Sequence, residues 1–170
     1  MPYIGTRFPH SFFREERIIR HVFSPQNINL NKNILKPNFL NFAFQKRSGK
    51  YELSCNRLEI ETIDHCLEVG HYIASTKKKD KLYGIACTNV ESILNKKRFK
   101  IAFTPFRNEH INNYSHCDIY DLGNPPLASV QIGEPEETEV VIQKQIFLKQ
   151  WQLSILRDVI KHEDIQPPKK

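Results

Sequence analysis

Glycine is scarce in this chain. Only 6 of the 170 residues are glycine, which argues against the glycine-rich loops that cradle phosphate groups. The sequence also lacks the P-loop, the G-x-G-x-x-G dinucleotide fingerprint, the G-x-S-x-G nucleophile elbow and the H-E-x-x-H metalloprotease motif. These absences argue against nucleotide hydrolysis by a familiar route, and no motif predicts a cofactor.

Long apolar runs are absent as well. No stretch approaches the roughly 20 residues that span a bilayer, and the N-terminus lacks the apolar core of a secretory signal. The four cysteines are scattered, unlike those of a small disulfide-rich secreted scaffold. We therefore expect a cytoplasmic protein without membrane contact, in which reduced cysteines serve mostly as core residues: Cys55, Cys66, Cys87 and Cys117.

No metal site is expected. The cysteines and histidines occur with the spacings C-x9-H-C-x4-H and H-x5-H-C, which match no zinc module. On a predicted helix, His65 and His71 are six residues apart and face different ways. On a predicted strand, His116 and Cys117 point to opposite faces.

The chain does contain enough apolar material for one domain, and its charge is unevenly distributed. Hydrophobic residues make up 39% of the sequence and the formal charge is +6. Residues 1–50 hold nine Lys or Arg and two Glu, a net of +7, whereas the remaining residues hold sixteen basic and seventeen acidic groups, a net of −1. Such asymmetry is typical of a surface that meets nucleic acid or an acidic partner, although a solvated basic face gives the same count.

Hydrophobic periodicity predicts an α+β fold with one mostly antiparallel sheet. The 82–87 run predicts a central strand buried on both faces, and Thr88 with Glu91 predicts a capping box that opens a short helix. The polar segment 106–115 is the loop expected to carry a site. Strands are predicted at 17–23, 40–45, 51–56, 82–87, 99–103, 116–122 and 140–142, and the alternation of 40–45 and 51–56 predicts a β-hairpin with one buried face. Helices are predicted at 62–75, from the Thr88 cap to Leu94, and at 144–161, the last one amphipathic.

These elements predict one domain with two short appendages. We expect a basic, aromatic N-terminal arm over residues 1–16, a single α+β domain over 17–165, and a tail over 166–170.

Three short points of the chain resemble ADP-ribosyltransferases. That family uses an Arg on its first strand, a Ser on a middle strand and an E-x-E turn before a late strand. Here Arg20, Ser54 and the pair Glu137 and Glu139 stand at such points. The resemblance implies an Arg that holds nicotinamide dinucleotide phosphates and a Glu that stabilises ribosyl cation character. The family's Ser-Thr-Ser is replaced here by Leu-Ser-Cys.

A histidine-dependent ribonuclease is a second enzymatic alternative. Its general base would be His110 or His116, with an Arg to hold the phosphate. Cys117 near His110 would be the best candidate for a thiolate nucleophile, although a buried core cysteine is the favoured interpretation.

The favoured hypothesis is a small non-enzymatic module that binds a macromolecule through its basic N-terminal third, as part of a multi-component complex. The expected partner is a protein, or else nucleic acid, because basic residues alternate with aromatic ones there. The candidate binding residues are Arg7, Arg14, Arg17, Lys46, Arg47 and Lys50.

Overall fold

The computed structural model describes residues 11–60, 63–76, 81–133 and 136–155. Its strands are β1 (Arg17–Ser24), β2 (Ile28–Asn29), β3 (Ile34–Leu35), β4 (Ala43–Gln45), β5 (Lys50–Arg57), β6 (Lys81–Asn89), β7 (Phe99–Phe103), β8 (Phe106–Arg107), β9 (Asn112–Asn113) and β10 (His116–Asp121). Its α-helices are α1 (Ile63–Thr76), α2 (Val90–Leu94) and α3 (Glu139–Leu153), and short 3-10 turns cover Pro37–Leu40, Leu58–Ile60 and Leu127–Ser129.

Six strands form one antiparallel sheet in the order β6-β1-β5-β10-β7, and β4 also pairs with β5. The predicted α+β class is confirmed. Strands β1 and β4 share one edge of β5: β1 pairs at Asn56 and Arg57, whereas β4 pairs from Lys50 to Glu52. Between these two ladders, β5 has no strand on that side, and this gap positions the site described below.

The larger core lies between the sheet and helix α3. Helix α3 begins where the Thr138 side chain accepts a hydrogen bond from the Val141 amide, the usual way of satisfying a first-turn donor. Phe147 and Trp151 of this helix are fully buried. Phe147 stacks on Phe99 of β7 with ring centroids 4.7 Å apart, so the helix holds β7 and the rest of the sheet in one core.

Helix α1 covers the opposite face of the sheet, over β1 and β6. Its Cys66 packs in a smaller core with Ile19 and Ile85. A Cβ atom at Gly70 would lie 2.7 Å from His21 Cδ2 and 2.8 Å from a Leu82 methyl carbon. Glycine disfavours a helix, yet Gly70 is the residue that lets α1 approach the sheet this closely.

Most predicted elements are confirmed, and the β4–β5 hairpin is one of them. Leu53 and Cys55 are buried as the alternation predicts. Phe44 is not: it is 53% exposed and packs on Tyr51 with ring centroids 5.2 Å apart, because β4 is a short edge strand. Residue Leu40, predicted as strand, lies in a 3-10 turn instead.

The predicted position of one strand and the predicted type of another element are wrong. The 82–87 strand is buried but lies at the sheet edge as β6, because helices pack on both of its faces and so provide the burial that a central position would give. Residues 140–142 are not a strand but the start of α3, since the Thr138 cap opens the helix there. The predicted helix extended to residue 161, and its last residues lie outside the described part of the chain.

Smaller differences concern caps and loops. Asn89, not Thr88, caps α2, and its side chain accepts from the Ser92 amide. The 106–115 loop contains the short β8–β9 ladder. None of the described helices combines the length and apolarity needed to cross a membrane.

Candidate functional site

A cleft of about 580 Å³ opens beside the gap in the sheet. Its walls come from the end of β1, the 26–41 segment, β5, helix α1 and the β8–β9 ladder. Aromatic rings contribute through Phe23, Tyr72 and Phe106. The polar side is rich in amides and comprises Arg20, His21, Gln26, Asn27, Asn38, Asn41, Glu52, Ser54, Asn56, Thr76, Asn108, Asn113 and His116.

Arg20 fills the gap between β1 and β4. Its Nη1 donates to the Ser54 carbonyl at 2.7 Å, and its Nε donates to the Phe39 carbonyl at 3.0 Å. The guanidinium carbon lies 5.3 Å from the centre of the Phe39 ring. Burial lowers the pKa of Arg20, and no carboxylate among the described residues forms an ion pair with it. The cleft therefore has a cation in its wall that only carbonyls and a ring offset.

The two histidines of the cleft are held by backbone carbonyls. His21 Nε2 donates to the Cys66 carbonyl at 2.7 Å, and burial lowers the pKa of this ring to about 4. His116 Nδ1 lies 2.9 Å from the Thr104 carbonyl, which fixes the proton on Nδ1 because a carbonyl only accepts. Its ring edge packs against Phe106 with centroids 5.0 Å apart.

The cleft brings together three of the six predicted catalytic residues: Arg20, Ser54 and His116. Ser54 lies directly across from Asp118 on β10, and no hydrogen bond among the described residues joins its hydroxyl to His116.

The other three predicted catalytic residues lie elsewhere. Glu137 and Glu139 are exposed at the start of α3 and do not line the cleft. His110 is exposed beside Glu109, with 3.1 Å between Nε2 and the carboxylate, and its ring is 6.4 Å from that of Tyr72 at the cleft wall. The transferase and ribonuclease alternatives stay predictions.

The predicted binding residues form two separate groups. At one end of β1, Arg14 pairs with Glu91 at 2.6 Å and Arg17 pairs with Glu59 at 2.5 Å. Their positive charges are thus offset locally. Arg7 lies outside the described residues.

The second group lies at the tip of the β4–β5 hairpin. Lys46, Arg47 and Lys50 are all exposed, and no carboxylate among the described residues forms an ion pair with them. Lys50 Nζ lies 5.2 Å from the centre of the Tyr120 ring, and Lys100 of β7 pairs directly with Tyr120 across the sheet. We call these five residues the tip patch.

The tip patch and the cleft lie on the same face of the sheet. Lys50, Glu52 and Ser54 alternate along β5 and therefore point the same way. Glu52 lines the cleft and pairs with Tyr120 in the ladder. Burial raises the pKa of Tyr120, the charges of Asp118 and Glu52 raise it further, and Arg47 opposes the shift.

No family model, curated protein or solved structure matches the chain.

Cys117 is fully buried in the larger core. Burial raises its pKa well above the usual value, which is the opposite of what a nucleophilic thiolate needs. All four cysteines lie in the described part of the chain, where each is buried and none forms a disulfide. Their interpretation as core residues is confirmed.

Sequence reasoning missed Lys100 and Tyr120 as members of a binding surface. The alternation of 99–103 does place Lys100 on the outer side of its strand. Its proximity to the hairpin tip depends on β10 lying between β5 and β7, and this strand order has no signal in the sequence.

Proposed function

We propose that this protein is a non-enzymatic module that binds single-stranded nucleic acid through the tip patch. The observation that carries the proposal is the contrast between two sets of cations. Arg14 and Arg17 are paired with glutamates, whereas the exposed lysines and arginine of the tip patch form no ion pair among the described residues. Cations without local partners are available to phosphates.

The aromatic ring of the tip patch supports nucleic acid over an acidic protein. Tyr120 is half-buried, with Lys50 over its ring and Lys100 beside it. Proteins that bind single strands without sequence preference combine cations that follow the backbone with rings on which bases stack. The sheet face offers such a ring between cations.

Charge reversal at the hairpin tip tests the proposal. The double variant Lys46→Glu and Arg47→Glu should weaken binding of a fluorescent single-stranded oligonucleotide by about tenfold or more at low salt, because two phosphate contacts become repulsive. A matched control is Lys32→Glu with Lys149→Glu, which changes the net charge equally at exposed positions elsewhere.

Fluorescence anisotropy separates the outcomes. Equal weakening by both double variants would mean that only net charge matters and would contradict a defined surface. Absence of binding by the unaltered protein at low salt would exclude nucleic acid and leave a protein partner for the same patch.

A further inference from the structure

Arg20 has donors that the fold leaves unused. A guanidinium carries five N–H groups, and the described residues engage Nε and Nη1 with carbonyls, while Nη2 has no hydrogen bond among them. The side chain lines the cleft. A planar guanidinium with vacant N–H groups suits the oxygens of a phosphate or carboxylate.

The rest of the cleft has the chemistry of a site for a small polar ligand with a flat ring. Its volume of about 580 Å³ falls in the roughly 300–1,000 Å³ range of small-molecule sites. Phe106 is 43% exposed and is braced from one side by His116, so its open side can receive a planar group. Glu52 is the one carboxylate of the lining. Its Oε1 accepts from the Ser48 hydroxyl at 2.8 Å, and its other oxygen suits a hydroxyl donor of a ligand.

Asn41 adds an uncommitted amide. It is exposed, it lines the cleft, and its side chain makes no hydrogen bond with the described residues. An amide can both donate and accept, as the edges of a nucleobase or a sugar require. The lining thus combines one arginine, several aromatic rings, one carboxylate and neutral amides.

We propose that this cleft is a second site, distinct from the tip patch, which binds a phosphorylated nucleoside. The phosphate contacts the Arg20 guanidinium, the base lies against Phe106, and Glu52 accepts from the sugar hydroxyls. The tip patch by itself implies no such pocket, so the inference goes beyond the proposed function.

Titration calorimetry with adenosine 5′-monophosphate as the probe tests the site. The unaltered protein should bind the probe, and adenosine without its phosphate should bind at least about tenfold more weakly, because the charge-assisted contact is lost. Cytidine, guanosine and uridine monophosphates give the base preference. Inorganic phosphate that competes as well as the nucleotide would overturn the nucleoside part of the proposal.

Two variants locate the binding. Arg20→Gln removes the cation but also removes donors to the Ser54 and Phe39 carbonyls, so it disturbs the fold as well as the site and does not suffice alone. Asn41→Asp keeps the shape of the side chain and adds a negative charge to the cleft. It should lower the affinity for the nucleotide at least about tenfold, because the new carboxylate repels the phosphate. Asn41→Ala is its uncharged control.

The tip variant separates this proposal from the previous one. Lys46→Glu with Arg47→Glu should leave nucleotide affinity within about twofold, since those side chains do not line the cleft. Nucleotide binding that is lost in the tip variant and kept in Asn41→Asp would overturn the cleft as the site. Absence of binding by all four monophosphates at millimolar concentration would overturn it as well, whatever the oligonucleotide result.

Discussion

A buried ion pair fastens the segment before β1 to the sheet. Arg57 donates through Nε and Nη2 to the Glu16 carboxylate, and the two side chains are 1% and 2% exposed. The guanidinium lies between two rings, 4.3 Å from the centre of Phe12 and 4.8 Å from that of Phe103. Its Nη2 also donates to the Ser11 carbonyl.

Removing the carboxylate charge should therefore destabilise the fold strongly. Glu16→Gln keeps the volume but leaves a buried guanidinium without its counter-charge, which typically costs about 3–5 kcal/mol. A domain has only about 5–15 kcal/mol of unfolding free energy. The matched control is Glu91→Gln, which breaks the exposed pair with Arg14 and should cost less than about 1 kcal/mol.

Urea denaturation followed by circular dichroism measures both variants. The midpoint for Glu16→Gln should fall with an unchanged slope, as expected when the native state alone is affected. Replacing both partners, Glu16→Leu with Arg57→Met, should recover much of the loss, because no unpaired charge remains. Equal small losses for Glu16→Gln and Glu91→Gln would refute the reasoning.

Three further predictions concern the packing, protonation and thiols of the folded state. Gly70→Ala should destabilise by about 1–2 kcal/mol in urea, because overlap with His21 and Leu82 outweighs the gain in helix propensity; a stabilised variant would contradict the close approach of α1. Burial lowers the His21 pKa to about 4 from 6.5, so the unfolded chain takes up this proton first. About 3 kcal/mol of stability should be lost as pH falls from about 6.5 to about 4, and His21→Asn should lack that part of the pH dependence; identical profiles would argue against a buried neutral ring. A thiol reagent at neutral pH should label no cysteine in the native protein, since burial raises the pKa of Cys55 to about 12. After denaturation the reagent should label all four cysteines, and a lower count would reveal a disulfide.

Local pattern was sufficient for most strands and for helix α1. The alternation of Tyr51, Leu53 and Cys55 reports which side of β5 is buried, because a strand has a period of two. The hydrophobic pattern did not predict the position of a strand in the sheet where two arrangements bury the same residues. An apolar run such as 82–87 is typical of a central strand, yet an edge strand between helices has the same composition.

The site could be predicted only as separate residues. Arg20 lies on β1 as expected. Its place in the cleft wall depends on the strand pairing, because β1 stops pairing with β5 after Ile19 and β4 then pairs with the same edge of β5. Charge counting likewise treated the N-terminal third as one surface. It could not detect that glutamates distant in sequence, Glu59 and Glu91, offset two of the arginines.

The salt dependence of oligonucleotide binding tests the central claim most directly. Four cations of the tip patch, each neutralising one phosphate of a single strand, predict a slope of about −2 to −3 for the logarithm of the association constant against the logarithm of salt concentration. Measured between about 50 and 200 mM salt, affinity should fall by roughly 16-fold to 64-fold. A slope near zero, or no measurable binding at the lowest salt, would contradict the account.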